Sequence, residues 1–380
     1  MKNPNDVHEQ EKRELNCYTH FTRRQFLTSA GLATAGLLAG ACGKDCPTEP
    51  KKTTPKVYPE GSSKVSTANL TSYDLSKVKS SIQTMLEQIG GVGDLVKSGD
   101  TVGIKINLTG GAGSASSYER SSGLPVGETY WTNPVVLQAV CELMKDAGAG
   151  TIYVLEAIYD QDSLDDFGYT DVINHVGATF VDLNGKAPYA GYASRSVGNK
   201  KLIYSSLTQN GVLNDLDCFI SLPKAKLHLG AGVTHGMKNL VGTLPVPCGL
   251  YNNGASNRAA IHNHHNKYDG NPDSNLCRVV IDLNNATPIN LVINDAVKTV
   301  LGSEGPWNRG GLTPKNFNRL LAGKDPVAVD SVSTKLIGYN PMAADLTNPF
   351  TTSINYLKLA NELGMGNYDL DMIEVVGAGI

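Results

Sequence analysis

The sequence lacks the cysteine pairs, long apolar runs and strong charge imbalance that mark several protein classes. Its seven cysteines form no C-x-x-C pair, which disfavours an iron–sulfur cluster or a structural zinc site built from local spacing. Beyond residue 41 no apolar run is long enough to span a membrane, and a net charge of −3 gives no support for nucleic-acid binding. The 380 residues, 41% of them hydrophobic, are enough for one large folded domain or two lobes.

Three catalytic signatures are also absent. The chain contains no G-x-S-x-G elbow, no P-loop ending in Gly-Lys-Ser/Thr and no H-E-x-x-H. Serine hydrolases, P-loop NTPases and zincins therefore lose their main sequence support. Glycine, by contrast, is abundant at 40 residues, which indicates many tight turns and close backbone approaches.

The N-terminus has the features of an export signal. Arg23 and Arg24 stand in the order Thr-Arg-Arg-Gln-Phe-Leu before a short Gly/Ala/Leu stretch. This pattern resembles a bacterial twin-arginine (Tat) signal. We expect residues 1–41 to be that signal. The Tat export machinery is then a partner, and the protein is exported to the periplasm or cell envelope.

Two ways of processing this signal remain open. Ala39-Gly40-Ala41 fits an A-x-A site for ordinary signal peptidase, whereas the same residues followed by Cys42 resemble a lipobox. We favour the lipoprotein, because residues 42–65 are rich in Pro, Lys and Thr and have the composition of a tether. Membrane contact is then expected only through a lipid anchor at Cys42, and residues 66–380 form the α/β domain.

The rest of the chain alternates strand and helix patterns. Thr101–Leu108 has the pattern of a buried strand, and a Gly/Ser-rich loop is expected over Thr109–Gly127. A helix begins at Asn133-Pro134, and Thr151–Glu156 is the next strand, which predicts a βαβ unit and a parallel sheet. Further helices are predicted over 75–89, 172–176, 275–284, 325–337 and 351–363, and further strands over 178–182, 216–222, 289–294 and 372–376.

The predicted fold class is therefore α/β. We expect a mixed, largely parallel sheet or sheets with flanking helices. Two Rossmann-like lobes around a cleft are one arrangement that this order of elements allows.

Polar side chains follow the ends of the predicted strands, where ligands bind in α/β sheets. The stretch 223–242 places lysines and histidines among glycines, a combination suited to an anion, which Lys238 would hold. As catalytic residues we predict Lys238, His235, Lys105 and Glu304. As substrate-binding residues we predict Asn107, Lys226 and Asn239.

Histidine is clustered. Five of the eight histidines lie between His228 and His265, which suits metal ligation or acid–base chemistry but also a polar Asn/His loop. Asp295 and Glu304 suit a cation, acid–base work or turn formation. As metal ligands we predict His228, His235, Asp295 and His264. The cofactor itself is unknown, with a divalent metal as the candidate and no iron–sulfur motif.

Several longer segments match a known family pattern. They are Gly103–Leu108, Thr132–Pro134, Asp217–His228, Thr234–Gly242, Ile289–Asp295, Gly302–Pro306 and Asp325–Asp330. In these segments the chain resembles the DUF362 family of uncharacterised bacterial and archaeal proteins. The resemblance implies a fold and the positions of a site, while the family's activity is not established. Some relatives append ferredoxin-type cysteines, which this chain lacks. A weaker similarity is to the nickel-pincer lactate racemases, whose motif is not present here.

Two functional hypotheses follow from these observations. The first is an exported enzyme, metal-dependent or not, that acts on a small anionic or carbohydrate-like substrate. The alternative is a non-catalytic metal- or anion-binding envelope lipoprotein. Turnover of a bound ligand separates the two.

Overall fold

The structure is a computed structural model, and it describes residues 63–246, 258, 261, 272–302, 305 and 311–380. The predicted signal, Cys42, His264 and Glu304 lie outside these residues. The first strand begins at Ser63, so the last three residues of the segment 42–65 belong to the sheet.

The strands are β1 Ser63–Asn69, β2 Thr101–Lys105, β3 Thr151–Glu156, β4 Thr179–Asp182, β5 Tyr192–Ser196, β6 Ser206–Asn210, β7 Cys218–Ser221, β8 Lys226–His228, β9 Gly232–Thr234, β10 Leu291–Ala296, β11 Thr299–Leu301, β12 Thr313–Lys315, β13 Arg319–Gly323 and β14 Ile373–Gly377. The α-helices are α1 Leu75–Gln88, α2 Gly111–Ser122, α3 Pro134–Asp146, α4 Asp162–Asp165, α5 Tyr169–His175, α6 Pro272–Ala286, α7 Pro326–Leu336 and α8 Tyr356–Glu362. Short 3₁₀ helices cover Val126–Glu128, Gly198–Lys200, Gly211–Asn214, Lys238–Thr243 and Leu370–Met372.

An eight-stranded sheet organises the domain. Its strand order is β14-β1-β13-β10-β7-β2-β3-β4. Every strand runs in the same direction except β13, which is antiparallel to both of its neighbours, β1 and β10. This confirms the predicted α/β class with a mixed, largely parallel sheet. The other sheets in the described residues are the pairs β5–β6, β8–β9 and β11–β12, so this part of the chain holds no second large sheet for a second lobe.

Both faces of the sheet are covered by apolar packing. On one face, α1 and α3 bury side chains such as Ile82 and Val140 together with Ile104 of β2. On the other face, α6 and α7 bury side chains such as Val280 and Val329. Strands buried on both faces read as nearly continuous apolar runs. This is why the pattern located β2, β3, β7 and β10 correctly.

Helix starts follow their capping residues. The side chain of Asn133 accepts a hydrogen bond from Val135 N, with Pro134 in the first turn of α3. Asp325 accepts from the backbone N–H groups of Val327 and Ala328 in the same way at the start of α7. Both helices were predicted from these Asn-Pro and Asp-Pro pairs, and both predictions are confirmed.

Two local predictions are wrong. The segment Thr109–Gly127, expected to be a loop, contains the twelve-residue helix α2. Its buried positions are Gly111, Ala112 and Ala115, so no large apolar side chains revealed a helical period. The last helix, expected over 351–363, begins only at Tyr356, because Asn355 caps it there.

The strand order reverses between β2 and β7. From β2 the chain moves outward to β3 and β4, and it then returns to the opposite side of β2 with β7 and β10. In open parallel sheets, ligands bind in the crevice that forms at such a switch point, beyond the carboxyl ends of the strands.

Among the helices in the described ranges, none combines the length and apolarity that crossing a membrane requires.

Candidate switch-point site

A buried ion pair joins the carboxyl ends of β2 and β3, next to the switch point. Lys105 is the last residue of β2, and its Nζ lies 2.8 Å from Oε2 of Glu156, the last residue of β3. Arg258 Nη2 lies 2.7 Å from the other oxygen of Glu156. Burial lowers the pKa of Lys105 to about 8, although the Glu156 carboxylate opposes that shift. The Lys105 ammonium therefore loses its proton far more readily than an exposed lysine does.

The Glu156 carboxylate is fully surrounded by donors. Besides the two cations, it accepts hydrogen bonds from the backbone N–H groups of Leu108 and Ala157 at 3.2 and 3.0 Å. Gly242 packs directly against the pair, because a Cβ atom at this position would lie 2.6 Å from Glu156 Oε1 and would overlap Lys105 Nζ. A larger residue at position 242 would therefore require the ion pair or the backbone to shift.

Four predicted site residues meet in one network of amides and lysines. Asn107 Oδ1 accepts from Lys226 Nζ at 3.0 Å, and Asn107 Nδ2 donates to Asn239 Oδ1 at 3.1 Å. Asn239 Nδ2 donates in turn to Lys105 O at 3.0 Å and to Ser221 Oγ at 3.1 Å. The structure thus joins Lys105, Asn107, Lys226 and Asn239 across the carboxyl ends of β2 and β7.

Lys226 is buried next to an aromatic side chain. Its Nζ donates to Tyr130 O at 2.9 Å and lies 5.8 Å from the centroid of the Tyr130 ring. The Tyr130 hydroxyl is buried and has no hydrogen-bond partner among the described residues, and burial raises its pKa. The ring of Tyr118, in α2, packs edge-on against Tyr130 at a centroid distance of 5.7 Å.

A second buried ion pair lies at the ends of β7 and β10. Lys224 Nζ lies 2.6 Å from Asp295 Oδ2 and also donates to Tyr73 Oη and Gly127 O. Asp295 accepts further hydrogen bonds from Tyr73 Oη at 2.9 Å and Val297 N at 3.1 Å. Burial lowers the pKa of Lys224. These contacts place Asp295, predicted as a metal ligand, in a structural ion pair.

Of the predicted histidine ligands, His228 and His235 lie in the described part of the chain. His235 is fully buried, and its Nδ1 lies 3.2 Å from Asn294 Nδ2. His228 stands at the β8–β9 turn, where its Nδ1 accepts from Gly230 N at 3.1 Å. In the ranges that the structure describes, no three or more His, Cys, Asp or Glu side chains form a group able to hold a metal. Burial lowers the pKa of His235 to about 3, so its imidazole is neutral near pH 7.

The segment that carries His235, Lys238 and Asn239 is held by Asp330 of α7. The carboxylate of Asp330 accepts from Gly236 N at 2.7 Å and from Met237 N at 3.0 Å. Burial raises the pKa of Asp330 to about 8. Lys238 is buried at the start of the 3₁₀ helix that follows, and its expected contact with an anion stays a prediction.

Glu156 and Asp330 were missed as site residues from the sequence. Glu156 carried a signal, since it is a charged residue that ends a buried strand beside Lys105. The partners of Asp330 lie 93 and 94 residues away along the chain, so no local pattern could indicate them.

Residues 102–335, more than half of the chain, match the sequence model of the family described as Domain of unknown function (DUF362). The chain belongs to this family. The expectation drawn from the resemblance is thereby confirmed at the level of the family.

The chain is also similar in sequence to one named protein and in structure to one solved protein. Thylakoid-associated protein sll1697 from Synechocystis sp. is 26% identical over 299 residues, which are 74% of this chain and 81% of that protein. The lactate racemase apoprotein from Thermoanaerobacterium thermosaccharolyticum has a TM-score of 0.37 and 14% identity, over 62% of this chain. This chain spans half the length of that racemase chain.

Proposed function

We propose that this DUF362 protein is an exported enzyme that takes a small anionic or carbohydrate-like substrate at the switch point between β2 and β7. The observation that carries the proposal is the hydrogen bond from the buried Lys226 Nζ to Asn107, whose amide is linked through Asn239 to the backbone oxygen of the buried Lys105. Burial of ammonium groups is unfavourable unless polar partners compensate it. Several such groups at the position where ligands enter this class of sheet favour a binding role for them.

Each side chain has a chemical task in this proposal. Lys226 supplies positive charge for an anionic group, and Asn107, which is half-buried, orients a polar group of the substrate. Lys105, with a pKa of about 8, serves as a proton donor or acceptor close to neutral pH. Glu156 fixes the position of Lys105 through the 2.8 Å ion pair.

A non-catalytic anion-binding protein is the second candidate. The complete burial of Lys105, and the backbone carbonyl and carboxylate that its Nζ contacts, favour binding without a proton-transfer step. Turnover of a bound anion would support the enzyme, and stoichiometric binding without product would support the alternative.

Replacing Lys226 should abolish anion binding. We expect at least one of inorganic phosphate, acetate and glucose 6-phosphate to raise the melting temperature of the wild type, since a ligand at 100 times its Kd adds about 2.7 kcal/mol. The Lys226→Met variant should lose this shift. Differential scanning fluorimetry at constant ionic strength measures both.

Lys335→Met is the matched control, because Lys335 is exposed on α7. It should keep the full shift. The proposal is wrong if none of the three anions changes the melting temperature of the wild type, or if Lys226→Met responds as the wild type does.

We also propose Tat export and lipid anchoring at Cys42, supported by the twin arginines and by a relative named as thylakoid-associated. Arg23→Lys/Arg24→Lys should leave an uncleaved precursor in the cytoplasm, because the Tat pathway reads the arginine pair. Cys42→Ser should be exported but released from membranes, since it removes the acyl chains. Fractionation and immunoblotting measure both outcomes. Export of the double lysine variant at the wild-type level would contradict the Tat assignment.

A further inference from the structure

Helix α2 lies beside the site with little apolar anchorage. Five residues separate it from β2, and its only buried positions are Gly111, Ala112 and Ala115. Helix α3, of similar length, buries seven side chains, including Leu137 and Met144. Because apolar stabilisation scales with buried area, at about 25 cal/mol per Å², α2 is bound to the domain far more weakly than α3.

Glycines in the left-handed region stand at both ends of this helix. Gly110 precedes it with a φ of 96°, Gly111 is its first residue with a φ of 77°, and Gly123 follows its last residue with a φ of 70°. Glycine adopts such backbone angles without the steric cost that other residues pay, and it leaves neighbouring angles accessible. Both ends of α2 can therefore act as hinges.

Polar contacts hold the helix in its place. Ala112 N donates to both carboxylate oxygens of Asp160, at 3.1 and 3.2 Å, and Val126 N donates to Glu119 Oε1 at 2.6 Å. Such contacts exchange readily with water, since a hydrogen bond contributes a net stabilisation of only about 0.5–1.5 kcal/mol. Local opening of α2 therefore costs much less than unfolding of the domain.

The helix covers the aromatic side chain that packs on Lys226. Tyr118 of α2 contacts the ring of Tyr130, whose backbone oxygen accepts from Lys226 Nζ. The Tyr130 hydroxyl beneath is buried, and no residue in the described ranges forms a hydrogen bond with it. An unsatisfied buried polar group costs about 1–3 kcal/mol. Movement of α2 would relieve this cost and give the hydroxyl access to water or to a ligand.

We propose that α2 is a lid over the switch-point site, hinged at Gly110–Gly111 and at Gly123 and held closed by Asp160. Opening moves Tyr118 away from Tyr130 and lets a ligand reach Lys226. Closure excludes water from the bound ligand. The inference rests on the proposed function, because it assigns the entrance of that same site.

Hydrogen–deuterium exchange of the full chain, read by mass spectrometry, tests the lid directly. Amides of α2 should exchange at least ten times faster than those of α3, at a rate that does not depend on low concentrations of urea. Asp160→Ala should speed exchange in α2 several-fold and leave α3 unchanged. Asp162→Ala, an exposed acidic residue at the start of α4, is the matched control and should match the wild type.

Two results of the exchange experiment without ligand would overturn the lid. One is exchange of α2 and α3 at the same urea-dependent rate, which would mean that α2 opens only when the domain unfolds. The other is equal exchange in the Asp160→Ala and Asp162→Ala variants.

Measurements with inorganic phosphate distinguish a failure of the lid proposal from a failure of the proposed function. If phosphate raises the melting temperature but does not slow exchange in α2, the lid is wrong and the anion site stands. If α2 opens locally and Asp160→Ala speeds it, the lid is supported even where no anion changes the melting temperature.

Discussion

Lys224→Met is expected to lower the free energy of unfolding by about 3–5 kcal/mol, the usual cost of removing one partner of a buried ion pair. Lys224 and Asp295 are both fully buried with Nζ and Oδ2 2.6 Å apart, so the substitution leaves a carboxylate in the interior without its cation. Tyr73 still donates to that carboxylate, but a neutral hydroxyl does not compensate its charge. Urea denaturation at pH 7 measures the loss.

A double variant isolates the charge from the packing. Lys224→Met/Asp295→Asn removes both charges and keeps an oxygen for the Tyr73 hydroxyl, so it should be more stable than Lys224→Met alone. Lys335→Met should remain within about 0.5 kcal/mol of the wild type, as expected for an exposed lysine. A loss of less than about 1 kcal/mol in Lys224→Met would show that the ion pair contributes little, below the range typical of buried pairs.

Gly242→Ala is expected to lower the free energy of unfolding by a comparable amount and to disturb the switch-point site. The added Cβ would lie 2.6 Å from Glu156 Oε1 and overlap Lys105 Nζ, so the ion pair must separate or the backbone must shift. Overpacking costs about 1–3 kcal/mol, and disruption of a buried ion pair adds to that cost. We expect a loss of at least about 2 kcal/mol, together with loss of the anion-induced rise in melting temperature.

Gly93→Ala is the matched control for this substitution. No atom lies within 4 Å of the Cβ that it would add, and its φ is not in the left-handed region. It should leave stability unchanged or raise it by a few tenths of a kcal/mol. Wild-type stability and anion response in Gly242→Ala would contradict the packing of Gly242 against Lys105 and Glu156.

The convergence of the site residues was predictable in part. Lys105 ends one apolar strand and Asn107 follows it, while Lys226 follows another strand, so a parallel sheet places all three at the same edge. The apolar runs identified those strands because both faces of the sheet are buried. The apolar pattern and the fold class together were therefore enough to predict that these residues lie close to one another.

The charge partners could not be predicted, because they depend on strand order. Lys105 meets Glu156 only because β3 neighbours β2, and Lys224 meets Asp295 only because β10 neighbours β7. Nothing in a linear sequence distinguishes an Asp that pairs with a distant lysine from one that binds a metal. The same ambiguity applies to the expected metal ligands Asp295, which lies in the ion pair with Lys224, and His235, which lies 3.2 Å from Asn294.

Strand direction determines on which side of the domain the chain from Cys42 enters the sheet. Strand β1 runs in the same direction as β2 and β7, so its first residue, Ser63, lies at the amino edge of the sheet, opposite the edge that carries Lys105 and Lys226. A lipid at Cys42 would attach the domain through that amino edge. The chain that leads to the lipid would then enter the domain on the side opposite the switch-point site, and the anchor itself would leave the entrance of that site unobstructed.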